Sequence, residues 1–210
     1  MAKKIGILGG KNHSLTMEYY YLVYRNYYTY YSTFFYPEVI LYSLNYNKIL
    51  EFEKTNDVEE YTKYIAEGIH NLEKAGADAI LMIADTCNLD FNELKKTAKV
   101  QVFNMAEVLA KRVKEKKIKK VILLGESNTI KNSSYVDFCK EYGIDVINLS
   151  HKEQEEIDKI FFDELFVGIS NSDSKKKLLK INKIFSTSYN GGKQKMKKAI
   201  SIMEERIWKM

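Results

Sequence analysis

The sequence predicts an α/β protein with two similar lobes, each a mainly parallel sheet flanked by helices, and a cleft between the lobes. Short apolar runs rich in β-branched residues alternate with longer amphipathic stretches along the 210 residues. A weak repeat also relates KKIGILGGKN at 3–12 to KKVILLGESN at 119–128, and in both copies an apolar strand ends at a glycine. The alternation predicts parallel strands joined by helices, and the repeat predicts that this unit occurs twice.

Five strands are predicted, and each is an apolar run with polar or glycine-containing flanks. In chain order they are KIGILGG, EVILYSL, DAILMIA, KVILLGE and DVINLS. Pro37 marks the entry to the second strand, because proline does not continue a helix. Helical patterns lie between the strands, at 18–31, 56–74, 90–98, 105–116, 131–142 and 152–185. We expect the first lobe to hold residues 1–104 together with about 187–210, and the second lobe to hold 105–186.

Residues 18–42 are unusually rich in tyrosine and read EYYYLVYRNYYTYYSTFFYPEVILY. Glu18, Arg25 and Asn26 interrupt this stretch well before the roughly 18 apolar residues of a membrane-spanning helix accumulate. We therefore expect no membrane association and a helix at 18–31 with a tyrosine-rich face. We expect that face to pack in the core, with a subunit interface as a further role.

The amino-acid composition limits which binding partners and which cellular compartment we expect. Lys and Arg number 33 against 28 for Asp and Glu, a net charge of +5, and the lysines are spread over amphipathic segments. Spread lysines are typical of solvated helix faces, and no nucleic-acid-binding motif accompanies them, so we expect no nucleic-acid partner. Two cysteines are too few for a disulfide framework, and Lys3 and Lys4 precede only a short apolar run, not a signal peptide. The predicted location is the cytoplasm.

The loops that follow the predicted strands are the candidate ligand site, because ligands of open parallel sheets bind outside the carboxyl ends of the strands. Small hydroxyl and amide side chains fill these loops, a composition suited to a carboxylate. No dinucleotide or P-loop spacing is present in GILGGK. The candidate ligand-binding residues are Gly10, Lys11, Asn12, Ser14, Thr16, Ser43, Asn45, Thr86, Asn88, Ser127 and Thr129.

An ordered set of motifs then resembles the aspartate/glutamate racemase family. The set is KIGILGG with Thr16 and EYYY, VILYSLNY, EKAGADAILMIADT, VFNMAEV, KKVILLGESNTI and IDKIFFDELFVG, which together span roughly residues 3–185. The resemblance implies a small amino-acid or carboxylate ligand, a homodimer, and a mechanism without cofactor or metal. In that mechanism two cysteines face opposite sides of the bound amino acid, one removing the α-proton and the other delivering a proton. Acid and base must each lie within about 3 Å of the reacting atom or its proton.

The family's first cysteine position is not occupied by a thiol in this sequence. An ungapped alignment of AGADAILMIADT with the family motif places Ile83 or Ala84 where the cysteine belongs, with Asp85 on the asparagine and Thr86 on the threonine. A usual histidine is replaced by Asn88, and Cys87 precedes it. Cys87 is either a peripheral thiol or, if the turn shifts, a thiol that reaches the cleft.

The family's second cysteine, expected in a Gly-Cys-Thr-Glu motif late in the chain, is also missing. The internal repeat locates it near residue 199, where the sequence reads KKAISIMEERIWKM. No cysteine follows Cys139, which lies in a helical pattern and is expected to be a buried, inert thiol.

Three hypotheses follow from these departures. The first is a divergent member without racemase activity that binds an amino-acid-like or carboxylic ligand. The second is a racemase, isomerase or lyase with a rebuilt site, in which Cys87 acts with Asp85, His13 or Lys11 as acid and base. Asp85 would repel a ligand carboxylate by a few kcal/mol at close range, so either the ligand is cationic there or Lys11 or a backbone amide holds Asp85. The third is an interaction protein with a vestigial cleft.

Overall fold

The computed structural model describes residues 3–84, 89–125, 127, 130, 134–165, 169 and 171–188. The chain divides into two compact units, Met1–Val108 and Leu109–Met210. Each unit contains a parallel sheet with helices between its strands, which confirms the predicted α/β class. The prediction that about 187–210 complete the first lobe falls almost wholly on residues outside the described part and stays a prediction.

The first unit is built on a four-stranded parallel sheet. Its strands are β1 (Ile5–Gly9), β2 (Val39–Ser43), β3 (Ala79–Met82) and β4 (Gln101–Asn104), in the order β2-β1-β3-β4. The sequence predicted the first three of these strands. It did not predict β4 as a strand, because the four residues QVFN lead directly into a helix and are too short to show a period of their own.

Four helices lie within this unit, and a fifth begins in it and ends in the second unit: α1 (His13–Tyr31), α2 (Tyr46–Thr55), α3 (Val58–Lys74), α4 (Phe91–Thr97) and α5 (Met105–Glu115). Helix α1 begins five residues before the predicted start at 18, because the Asn12 side chain accepts from the Leu15 N–H and caps it. Helix α2 was not predicted, and Asn45 caps it in a similar way.

Helix α3 covers the sheet and anchors its far edge. Its buried residues recur with a helical period at Tyr61, Ile65, Gly68, Ile69 and Leu72. Gly68 permits close packing on β1, since a Cβ there would lie 2.8 Å from a methyl carbon of Leu8.

At the end of α3, the buried Glu73 carboxylate accepts the N–H groups of Lys99 and Val100, just before β4. Burial alone would raise the pKa of Glu73, but these hydrogen bonds and His70 hold it below its usual range. Helix α3 thus fixes where β4 enters the sheet.

Helix α1 corrects one expectation, because its tyrosines do not fill the core. Thr16 is the one fully buried residue among its 19 residues. Tyr21, Tyr28, Tyr30 and Tyr31 are all exposed by 46% or more. No helix in the described ranges is long and apolar enough to cross a bilayer. These four tyrosines therefore face solvent in the described structure, whereas Tyr24 and Tyr27 are half-buried and pack against Tyr36.

The second unit has a parallel pair, β5 (Lys120–Val121) and β6 (Asp145–Val146), and helices α6 (Ser134–Glu141), α7 (His151–Ile160) and α8 (Ser172–Ser188). The single helix predicted at 152–185 is wrong, because a π-helical turn at Phe161–Leu165 follows α7 before α8 begins. One apolar cluster holds the unit together, formed by Ile122, Leu124, Ile157, Ile160, Phe161, Leu178 and Ile181.

Candidate functional site

The four strands of the first sheet end along one edge, which is where the sequence located the ligand site. Gly9 pairs with Ser43, Leu8 with Met82, and Met82 with Asn104, so the strand ends are in register. Because all four strands are parallel, the loops after them emerge on the same side. Of the predicted site residues near this edge, Asp85, Thr86, Cys87 and Asn88 lie outside the described residues.

A glycine pair forms the turn after β1. A Cβ on Gly9 would lie 2.4 Å from Thr16 Oγ1, and one on Gly10 would lie 2.5 Å from the Leu44 carbonyl oxygen. Gly10 also has a φ of +128°, which side chains other than glycine rarely adopt. Side chains are thus excluded at both positions, and Gly10 contributes backbone alone to this edge.

Several predicted ligand-binding side chains are engaged in capping helices. Asn12 caps α1, and its carbonyl accepts from both the backbone N–H and the hydroxyl of Thr16 at 3.0 and 2.9 Å. Asn45 caps α2 by accepting from Asn47 N–H at 2.9 Å. Ser14 is half-buried, whereas His13 and Ser43 are exposed. These contacts explain the local fold of both loops.

Lys11 forms a nearly buried ion pair that the sequence did not reveal. Its Nζ lies 3.0 Å from Oε1 of Glu53 on α2, and both side chains are only 8% exposed. The pair links the loop after β1 to the helix after β2. A charged group is costly to bury unless it is paired, so Glu53 compensates the Lys11 charge at this edge. The sequence carried no signal for Glu53, because α2 itself was not predicted.

Asn104, which ends β4, is the second residue that sequence reasoning missed. Its side chain is buried, and Oδ1 accepts from the Ala106 N–H at 2.8 Å at the start of α5. That bond fixes the orientation of the amide, so Nδ2 points elsewhere. Nδ2 is a buried donor that has no acceptor among the described residues. Leaving such a donor unpaired costs about 1–3 kcal/mol, and a ligand oxygen at this edge would satisfy it.

At the end of β3, the two positions to which the family resemblance assigns the first catalytic cysteine carry aliphatic side chains. Ile83 and Ala84 are 7% and 3% exposed. Their backbone N–H groups both donate to the Leu8 carbonyl, at 2.9 and 3.2 Å, which fixes this segment against β1. Neither side chain can hold or transfer a proton.

The second unit has a comparable polar loop after β5. Asp158 Oδ1 accepts from the Ser127 N–H at 2.7 Å and from Gln154 Nε2 at 2.9 Å, and Gln154 also donates to the Gly125 carbonyl. A cavity of about 370 Å³ adjoins this loop, a size suited to a small molecule. Ser127 lines it, as predicted for a ligand residue, whereas Thr129 lies outside the described residues. Its full lining is Leu123, Ser127, Ile130, Ile147, Asn148, Leu149, His151 and Gln154.

Cys139 is the one cysteine within the described residues, and it is buried in α6. Burial raises the pKa of its thiol to about 11, so the thiolate is scarce at neutral pH. This agrees with the predicted inert thiol. No cluster of three or more metal-ligating side chains is found in the described part of the chain.

The model of the Asp/Glu/hydantoin racemase family matches residues 35–181, well over half of the chain. The chain belongs to the Asp/Glu/hydantoin racemase family. The resemblance carried by the sequence motifs is thereby confirmed.

This chain is similar to individual proteins both in sequence and in structure. The chain is 28% identical to the broad specificity amino-acid racemase RacX of Bacillus subtilis over 119 residues, 57% of this chain and 51% of RacX. It thus spans about half the length of that relative. An aspartate racemase homologue from Pyrococcus horikoshii OT3 superposes with a TM-score of 0.73 at 29% identity, covering 89% of this chain and 80% of that one. A Yersinia pestis protein provisionally described as an Asp/Glu racemase superposes with a TM-score of 0.77 at 22% identity. The superposition covers 89% of this chain and 82% of the Yersinia pestis chain, which shows a shared fold.

Proposed function

We propose that this racemase-family protein binds a small amino-acid-like or carboxylic ligand at the carboxyl edge of its first sheet without racemising it. One observation carries the proposal. The position that the family resemblance assigns to the first catalytic thiol is occupied by Ile83 or Ala84, both buried and aliphatic. Racemisation without a cofactor needs a base and an acid on opposite faces of the α-carbon at once. A chain that lacks either group loses the reaction while keeping the fold that binds the ligand.

The described polar groups at this edge support a ligand with an acceptor oxygen. Asn104, at the end of the edge strand β4, offers a buried amide donor. The Lys11 charge is balanced by Glu53, so neutral donors rather than a bare cation recognise the ligand. A carboxylate that accepts a hydrogen bond from Asn104 Nδ2 fits this arrangement.

We further propose that the protein is a cytoplasmic homodimer. The low cysteine content supports a reducing compartment, because a chain with two cysteines has no disulfide framework to maintain. The exposed aromatic residues of α1 support association of the chain with another protein surface.

Proton NMR in D2O tests the proposal directly. The purified protein is incubated with L- and D-amino acids, including aspartate and glutamate, and the α-proton signal is followed. We expect the signal to persist for every amino acid. Saturation-transfer difference spectra on the same samples report binding independently of chemistry, and we expect saturation of at least one carboxylate-bearing ligand.

Two outcomes would contradict this proposal in different ways. Loss of the α-proton signal would show that proton abstraction survives, and Cys87→Ser would then test the rebuilt site with Asp85 or His13 as its partner. A persistent signal with no saturation for any amino or carboxylic acid would favour an interaction protein with a vestigial site.

A further inference from the structure

Helix α1 carries a stripe of large side chains that the described residues of its own chain leave largely exposed, although Tyr24 packs edge-on against Tyr36 and Tyr28 contacts Phe34. Met17, Tyr21, Tyr28 and Tyr31 are exposed by 54%, 56%, 46% and 66%, and Tyr24 is half-buried between them. Their spacing along the helix is four, three, four and three residues. This is the 3.5-residue period of a helix that packs along a second helix, and it differs from the broader face that a helix presents to a globular core.

The two flanks of this stripe differ in chemistry. Glu18 and Arg25 lie on one flank, seven residues apart, and neither forms an ion pair with a described residue of its own chain. Tyr20 and Tyr27 lie on the other flank. In heptad terms the stripe occupies a and d, the charged residues occupy e, and the tyrosines occupy g.

An antiparallel copy of the same helix satisfies all of these positions in one register. When Tyr21 packs beside the partner's Tyr24, Met17 packs beside the partner's Tyr28. In that register Glu18 faces the partner's Arg25 on one flank, and Tyr20 faces the partner's Tyr27 on the other. A two-fold axis produces each contact twice, which is what an isologous dimer interface requires.

We propose that α1 is the contact surface between two copies of this chain, packed antiparallel about a two-fold axis. This inference rests on the proposed homodimer and is independent of the proposed ligand. The stripe is electrically balanced, with one Glu and one Arg, in a chain of net charge +5, so it can meet itself without repulsion.

The exposed area on and beside α1 is sufficient for a specific dimer. Phe34 and Phe35, just beyond the end of α1, are 75% and 85% exposed and extend the surface. An aromatic side chain contributes roughly 150–250 Å² when it is fully buried. The exposed large residues between 17 and 35 therefore offer several hundred Å², on the scale of the roughly 800 Å² per partner of a standard interface.

Sedimentation equilibrium of the full chain and of charge-reversed variants tests the surface and its register together. We expect a species of twice the 24.5 kDa chain mass for the unmodified protein. Glu18→Arg and Arg25→Glu should each weaken the dimer at least tenfold, because each change makes like charges face one another twice. The double variant Glu18→Arg/Arg25→Glu should restore the affinity to within about threefold, since the opposite charges again face one another.

A matched control separates this effect from a general change in charge. Glu67 is exposed on α3, so Glu67→Arg makes the same change of charge away from the stripe and should leave the dimer intact. A chain that stays monomeric up to about 100 μM would overturn the proposal. So would a dimer that tolerates both single reversals, or a double variant that fails to recover. Ligand saturation by NMR is measured on the same variants, so failure of the interface and failure of ligand binding are distinguishable.

Discussion

Amide side chains at the edge of the first sheet differ in how many of their polar atoms are already engaged. Asn12 and Asn45 each accept a backbone N–H at the start of a helix, and they explain helix boundaries. Asn104 also accepts such a bond, but it is buried and its Nδ2 lacks an acceptor in the described structure. Among these three amides, Asn104 is therefore the one whose geometry points to a ligand.

Replacing Asn104 with serine should separate binding from folding. The serine oxygen retains an acceptor for the Ala106 N–H, and the unpaired amide donor is removed, so we expect the free energy of unfolding to fall by no more than about 1 kcal/mol. Loss of the amide donor should weaken carboxylate binding about tenfold, the equivalent of one hydrogen bond to a charged group. Urea unfolding and titration followed by NMR measure the two quantities. Asn26→Ser, at an exposed amide in the middle of α1, is the control and should leave affinity unchanged.

The burial of Cys139 leads to two predictions, one for the reactivity of its thiol and one for the free energy of unfolding at alkaline pH. Its thiol pKa is raised by burial from 9.0 to about 11, so iodoacetamide at pH 8 should leave it unmodified in the folded protein and label it in guanidinium. Between pH 9 and about pH 11 the unfolded chain loses this proton while the folded chain keeps it. The free energy of unfolding should therefore fall across that window.

The reference for both experiments is Cys139→Val, which lacks the thiol. Its alkaline loss of stability should be smaller than that of the unmodified chain, as measured by urea unfolding at each pH. Equal losses in the two proteins, or rapid labelling of folded Cys139, would contradict the burial of this thiol.

At the scale of elements, the ion pair between Lys11 and Glu53 joins the loop after β1 to α2. It couples the loop that precedes α1 to the second half of α2. Both side chains are nearly buried, so the loss of one removes a close counter-charge of the other. This connection belongs to the tertiary structure, because 42 residues separate the two partners in sequence.

Removing either charge of the Lys11–Glu53 pair should destabilise the folded protein. Lys11→Met and Glu53→Gln should each lower the free energy of unfolding by about 3–5 kcal/mol, measured by urea denaturation. The double variant Lys11→Met/Glu53→Met should recover most of that loss, because both charges of the pair are then removed together. Lys63→Met is the control: Lys63 pairs with Glu59 and Glu60 on an exposed helix face, and its loss should have little effect. Additive losses in the double variant would contradict a coupled pair.

At the scale of the whole molecule, stability and association should be linked. Dimer formation stabilises only the folded chain, so the unfolding temperature should rise with protein concentration. Each tenfold increase contributes about 1.4 kcal/mol per dimer. Calorimetry over two decades of concentration measures this slope, and Glu18→Arg should flatten it. An unfolding temperature that does not depend on concentration would contradict a dimer of native chains.

The α/β class and the parallel sheets could be predicted because local sequence encodes them. Apolar runs such as KIGILGG and DAILMIA form strands wherever helices can cover them, and these strands formed as predicted. Two short elements were missed: β4, whose four residues show no period, and α2, a ten-residue helix that begins at the Asn45 cap. The π-helical turn at Phe161–Leu165 interrupts a pattern that looked continuous, because packing rather than periodicity decides where that helix ends.

The sequence by itself determined the family, the strand-helix alternation and the absence of a thiol at Ile83 and Ala84, since each depends on residue identity and order. Tertiary structure alone decided that Glu53 meets Lys11, that Asn104 keeps a buried donor with no acceptor among the described residues, and that four tyrosines of α1 face outward. These are contacts or exposures between segments distant in the chain. The sequence specifies the chemical groups that each residue carries, but the burial and the contacts of a residue depend on how distant segments pack together.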